Sequence, residues 1–154
     1  MVLLFLMMAF AIGLAVPLQS AVNNALRASL RSGSMLAALV SFAVGTAALL
    51  VVSALTGQPF AALGGLSRVP WWQWLGGFLG AFFVFGTTLL APRIGLAAMV
   101  SLIVAGQVCS SLAFDHFGLI GLQARGLSWI RLLGAGFILA GAILVNFGDR
   151  WLAR

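Results

Sequence analysis

The sequence predicts an all-α integral membrane protein, a bundle of five transmembrane helices, and three observations lead there. Five apolar stretches of span length fill nearly all of its 154 residues. Hydrophobic residues make up 63% of the chain and charged residues 6%, a balance that no soluble core of this size can hide from water. The joins between the stretches are short and rich in Gly, Pro and Arg, which leaves no room for a soluble domain. A helix needs roughly 20 apolar residues, at about 1.5 Å each, to cross about 30 Å of hydrocarbon. It also satisfies its own backbone groups, as lipid requires. Residues 1–154 therefore read as a single five-span membrane domain.

The first span is predicted over Val2–Asn24. No charge precedes Arg27, so the basic n-region of a removable signal peptide is missing, and the apolar run is of span length rather than signal length. Arg31-Ser-Gly-Ser34 separates it from the second span, Met35–Leu55. Gly57, Pro59, Gly64, Gly65 and Pro70 then break the chain before a third span, Trp71–Ala91. Pro92-Arg93 marks the join to the fourth, Ile94–Asp115. The stretch from Gly118 to Gly126 leads to the fifth, Trp129–Phe147. All five tryptophans (Trp71, Trp72, Trp74, Trp129 and Trp151) fall at proposed interfaces, where amphipathic rings settle.

The eight basic residues are all Arg, and all lie at span ends. Five spans put Arg27, Arg31, Arg93, Arg150 and Arg154 on one side, and Arg68, Arg125 and Arg131 on the other. The positive-inside rule assigns the first side to the cytoplasm, but so small a bias also suits insertion in both directions. Scattered at membrane borders, these arginines form no basic face for nucleic acid.

Polar stripes within the spans are the candidate sites. In span one, Gln19 and Asn23 lie four residues apart on one face, with Ser20 and Asn24 beside them. Pro17 removes a hydrogen bond to Gly13, and the pair predicts a kink near the amides. These amides either line a substrate site or pin helices together. Span four carries Gln107, Ser111 and Asp115 at successive i+4 positions. The apolar run continues through Phe117–Leu122, and a helix extended through it would hold Asp115 below the interface. Asp115 with His116, the only histidine, could relay protons. The simpler use of Asp115 is a structural pair with Arg125 or Arg131. Gly76 with Gly80, and the Gly134 to Gly141 stretch, place small residues where helices can approach closely.

Enzyme chemistry finds no footing. One His, one Cys and two Asp supply no metal-ligand cluster and no assembled nucleophilic triad, and haem or quinone redox chemistry would call for more histidines. No catalytic residue, cofactor or metal is expected, and Cys109 reads as an apolar filler.

Several stretches together resemble the YdcZ-like inner-membrane exporters of the drug/metabolite transporter superfamily. They are Asn23-Asn-Ala-Leu-Arg27, Leu75-Gly-Gly-Phe-Leu-Gly-Ala81, Pro92-Arg-Ile-Gly95, Val104-Ala-Gly-Gln-Val108 with Asp115-His-Phe-Gly118, and Arg131-Leu-Leu-Gly134. The resemblance implies a bacterial inner-membrane location and five-helix half units, EamA-like, that pair antiparallel into about ten helices. A second resemblance, to the last helix of small multidrug resistance transporters, rests on Gly134, Ala140, Gly141 and Asn146. In those transporters the pattern packs two protomers, and the first helix carries a cation-binding glutamate. Gln19 and Asn23 stand in that region here, with no acid, which puts a lone organic cation out of keeping as substrate.

The expectation is a secondary exporter of a small neutral, zwitterionic or anionic metabolite. Five helices cannot contain their own inverted repeat, so the second half comes from an antiparallel homodimer or a paired sister subunit in the bilayer. Closure of a dimer puts the site on its two-fold axis, lined by Gln19, Asn23, Gln107 and Ser111. A small dual-topology ion channel and a non-transporting accessory subunit are the alternatives.

Overall fold

The computed structural model describes residues 2–152. Arg154 lies outside them. Helices α1 (Val2–Ser29), α2 (Ser34–Leu55), α3 (Leu75–Ile94), α4 (Leu96–Phe117) and α5 (Trp129–Leu152) are the long elements. Two 3₁₀ segments, Phe60–Arg68 and Trp71–Trp74, lead into α3, and a third, Leu119–Gly121, follows α4. The described residues contain no strand. All five helices are long and apolar enough to cross a membrane, the third when counted from Trp71. The chain divides into two compact units, one running to Arg93 and the other starting at Ile94.

Within the first unit α1 packs on α2. Helix α1 runs 28 residues, about 42 Å at the standard rise, so its last turns reach past the hydrocarbon. It outlasts the apolar run because Leu26, Arg27 and Ala28 are good helix formers, and a cation suits the negative end of the helix dipole. The end is a Schellman motif: the Ser32 N–H donates to the Arg27 carbonyl at 3.2 Å and the Arg31 N–H to that of Ala28 at 3.1 Å. The left-handed residue there is Arg31, at φ 47°. Helix α2 ends the same way with Gly57 at φ 68°, where no Cβ resists the conformation.

Prolines lie inside two of the helices. Helix α1 continues unbroken through Pro17. The ring removes one donor, leaving the Gly13 carbonyl without its i+4 partner, but its fixed φ fits a helix and the flanking turns hold. Helix α3 likewise passes Pro92 to Ile94. The break falls at Gly95, whose φ of 86° and ψ of 153° are open to glycine and strained for other residues.

The interior is made of small and hydroxylated residues. Buried apolar positions are Ala37, Ala38, Val84, Ala91, Met99, Ala105, Ala135 and Ala142, while Leu, Ile and Phe side chains face outward all along the helices. That is the membrane pattern: lipid tails are as apolar as leucine, so helices associate through close packing and hydrogen bonds rather than through apolar burial. Gly80 on α3 illustrates it, since a Cβ there would stand 3.3 Å from the Phe42 ring of α2.

The second unit is an antiparallel hairpin of α4 and α5. Helix α4 stops at Phe117 because Gly118 turns left-handed (φ 60°, ψ 37°), and its N–H closes on the Phe114 carbonyl. A helix extended through Leu122 is therefore not formed, and Asp115 sits in the last turn of α4. Gly118 is the tightest point of the turn, with a built Cβ meeting the Leu122 carbonyl oxygen at 3.1 Å and Ala124 Cβ at 3.2 Å. Replacing Gly118 with Val should destabilise the protein by at least about 1 kcal/mol, while Arg31→Gly should stabilise it by about 1 kcal/mol by relieving a left-handed side-chain-bearing residue. Reversible unfolding in mixed micelles, read by circular dichroism, measures both.

Candidate functional site

All the fully buried polar side chains among the described residues belong to the first unit: Ser20 and Asn23 of α1, Ser34 of α2, and Thr87 and Thr88 of α3. Their sequence positions bring them to one end of it, where α1 finishes, α2 starts and α3 finishes. The Ser20 hydroxyl donates to the Thr87 carbonyl at 3.2 Å, which ties α1 to α3. Thr87 and Thr88 both return their hydroxyls to the Val84 carbonyl, at 3.1 and 2.8 Å. Asn24 donates back to the Ser20 carbonyl at 3.0 Å.

Three polar atoms in this region are buried without any partner: Asn23 Nδ2, Asn24 Oδ1 and Arg27 Nε. Asn23 is 4% exposed. Leaving one such group unsatisfied costs about 1–3 kcal/mol, more where it is charged. Ser20, Asn23, Asn24 and Arg27 follow i, i+3, i+4, i+7 spacing, so they form one continuous face of α1.

Gln19 is exposed on the single chain. It lines a cleft of about 250 Å³ with Ser41, Phe42, Gly45, Thr46, Leu49 and Val84, bordered by α1, α2 and α3. A larger cleft of about 630 Å³ opens further along α2, with Ser53, Thr56 and Gln58 among its polar lining. Thr46 and Leu49 border both, so the two adjoin and hydroxyls recur along α2 from Ser41 to Thr56.

In the second unit, Gln107 and Ser111 are exposed on α4. Two polar ties hold α4 to α5. Asn146 Nδ2 donates to the Ser101 hydroxyl at 3.0 Å and to the Ala142 carbonyl at 2.8 Å. Near the turn, Arg131 pairs with Asp115 at 2.5 Å. Both charges sit at the unfavourable end of their own helix dipoles, an acid in the last turn of α4 and a cation in the first turn of α5, so each offsets the other's misplacement. The Arg125 N–H also donates to the Asp115 carbonyl at 2.6 Å. His116 takes no part in this pair and packs edge-on against Phe117 at 4.8 Å between centroids. Among the glycines singled out for packing, Gly80 meets Phe42, while a methyl at Gly76, Gly134 or Gly141 would have nothing within 4 Å. Among the described residues no three His, Cys, Asp or Glu side chains gather as metal ligands.

Sequence reasoning singled out the amides but passed over Ser34, Ser41, Thr46, Thr87 and Thr88. The available signal was their hydroxyls recurring within apolar spans, at the same end as Asn23 or along α2.

Five helices long and apolar enough to cross a membrane, with small and hydroxylated residues buried within each unit, define a multi-pass membrane protein. The chain belongs to the family described as "Putative inner membrane exporter, YdcZ", whose model matches residues 4–144, and its location is accordingly the bacterial inner membrane. It is similar to the inner membrane protein YdcZ of Escherichia coli (strain K12), 36% identical over 89 residues. That alignment covers 57% of this chain and 59% of the relative. No solved structure matches the chain.

If the Asp115–Arg131 contact clamps the hairpin, a double-mutant cycle of Asp115→Asn and Arg131→Gln should give a coupling of about 0.5–1 kcal/mol. Unfolding of the four proteins in micelles measures it. Additive effects of the two changes would mean that the pair adds nothing to stability.

Proposed function

We propose that the chain is one half of a secondary exporter for a small metabolite, working as a dimer whose site lies on the dimer axis. Family membership supports export across the inner membrane. The observation that carries the reading is the track along α2, two adjoining and mostly apolar clefts in which polar groups recur from Gln19 and Ser41 through Thr46 to Ser53 and Thr56. Hydroxyls and amides give a solute successive hydrogen-bonding partners without fixing a charge in the membrane.

Gln19, Gln107 and Ser111 are exposed on the single chain, and a primary amide left facing lipid is costly. A second copy, or a sister subunit, would cover them and complete a site with Asn23. The near-balance of arginines at the two membrane faces supports antiparallel pairing. Single cysteines placed next to Arg68 and Arg150, labelled from each side of intact cells in a Cys109→Ala background, test this. Each site should label from both sides in a mixed population; strictly one-sided labelling would exclude the antiparallel form.

Filling the track should stop transport. Thr46→Phe narrows both clefts at once and should reduce solute counterflow in proteoliposomes by at least about tenfold, about 1.4 kcal/mol in barrier height, while the dimer remains intact on size-exclusion chromatography. Solute-independent ion conductance by the unaltered protein would instead identify a channel, and absence of both activities an accessory subunit.

A further inference from the structure

We propose that Arg27 and Asn23 form an oxyanion-binding subsite at the arginine-bearing end of the first unit, so that the transported solute carries a carboxylate or comparable anionic group. The inference rests on the exporter reading for its word "transported"; the binding site itself does not.

The argument begins with charge. Residues up to Arg93 include Arg27, Arg31, Arg68 and Arg93 and not one Asp or Glu. Both acids of the chain, Asp115 and Asp149, follow later in the sequence, and Asp115 is engaged by Arg131. Among the described residues no carboxylate pairs with Arg27. Yet its Nε is buried and makes no hydrogen bond. One turn earlier on the same face, Asn23 is almost wholly buried with Nδ2 equally unpartnered. Of the three unpartnered atoms on this face two are donors, one of them cationic, and they match an oxygen anion; the third, Asn24 Oδ1, is an acceptor and takes no part in holding it.

The surroundings favour the same ligand. Helix α2 starts at this end with Gly33 as its N-cap, no side-chain cap and no acid in the first turn, so its positive end is uncompensated. Ser34, in that first turn, is itself buried. Arg31 and Arg93 stand at the same end on the linker after α1 and the last turn of α3, where they raise the local concentration of anions without joining the buried face. Arg93 is turned back onto the Leu89 carbonyl.

The anionic oxygens could belong to a solute carboxylate or to a lipid phosphate, and the test separates them. The purified protein is reconstituted in phosphatidylcholine nanodiscs and titrated with benzoate, benzamide and benzylamine, three probes of like shape and different charge. Benzoate binding by calorimetry, weakened at least tenfold in Arg27→Gln and in Asn23→Leu, partly kept in Arg27→Lys and unchanged in Arg68→Gln at the other end of the unit, is the expected result. Nanodiscs containing phosphatidylglycerol form the second arm. Arg27-dependent thermal stabilisation there, with no benzoate binding in either lipid, would assign the subsite to lipid phosphate and overturn the solute claim. Equal binding of benzamide or benzylamine would overturn the oxyanion claim, as would benzoate binding that Arg27→Lys and Arg27→Gln leave untouched. No response to any probe or lipid would overturn it too. Should Arg27→Gln fail to fold, the benzoate, benzamide and benzylamine comparison on the unaltered protein, with Arg27→Lys, still decides. Counterflow is scored separately: anion binding without any counterflow sinks the exporter reading and keeps the subsite. Counterflow of uncharged solutes that ignores Arg27 does the reverse.

Discussion

In lipid, apolar surface gains nothing by turning inward, and most features of this protein follow from that constraint. Large apolar side chains cover the outside of every helix, and the interior is mostly Ala, Ser, Thr and Asn, with Val84 and Met99 among them. Close approach is one source of cohesion, visible where the Phe42 ring reaches Gly80. Hydrogen bonds are the other, from Ser20 to the Thr87 carbonyl in the first unit and from Asn146 to Ser101 in the second. Such bonds are worth about 0.6 kcal/mol each in membranes, so the fold rests on many small terms. A polar interior is then available for function at little structural cost, because the same hydroxyls that hold helices together can also face a solute.

The two units use their polar groups differently. In the second, polar ties near both ends of the hairpin are satisfied: Asn146 has two close acceptors and Asp115 has Arg131. In the first, the Ser20, Thr87 and Thr88 hydroxyls are satisfied, while Asn23 Nδ2, Asn24 Oδ1 and Arg27 Nε are not. Satisfied groups specify register and unsatisfied ones invite a ligand, since a buried donor gains far more from an incoming acceptor than an exposed one does. This asymmetry, more than the size of any cleft, singles out the end of α1 as the place to look for recognition. The larger cleft along α2 offers volume with fewer donors and reads as passage rather than as binding surface.

Much of this was legible in the sequence. Hydropathy located five spans because each must be apolar all round, a signal that survives ignorance of every contact. Gln19 and Asn23 stood out because amides are rare in such runs. What stayed hidden depended on backbone conformation and on neighbours. Pro17 removes one donor from the hydrogen-bond ladder and α1 still continues as helix, since one missing donor in 28 residues is tolerated. The apolar Phe117–Leu122 run looked like more helix, but Gly118 and Ile120 are both left-handed and end it, which decides that Asp115 stands in a last turn. Thr87 and Thr88 carried no periodic signal of their own. Their place beside Ser20 is a tertiary fact.

That Asp115 is already engaged bears on how energy could be coupled to movement. Arg131 holds the Asp115 carboxylate at 2.5 Å, in a position where both helix dipoles disfavour the separate charges, so each charge depends on the other. Releasing Arg131 would leave a cation at the start of α5 with only the Ser128 hydroxyl near its backbone N–H. The first unit has no acid to protonate at all, and the charge within it that can change is that of the bound ligand. An anion settling against Arg27 and Asn23 neutralises the end of α1 and its departure restores the charge. A ligand held there shifts a conformational equilibrium only as far as its affinity differs between the two states, and it needs no acid in that unit to do so.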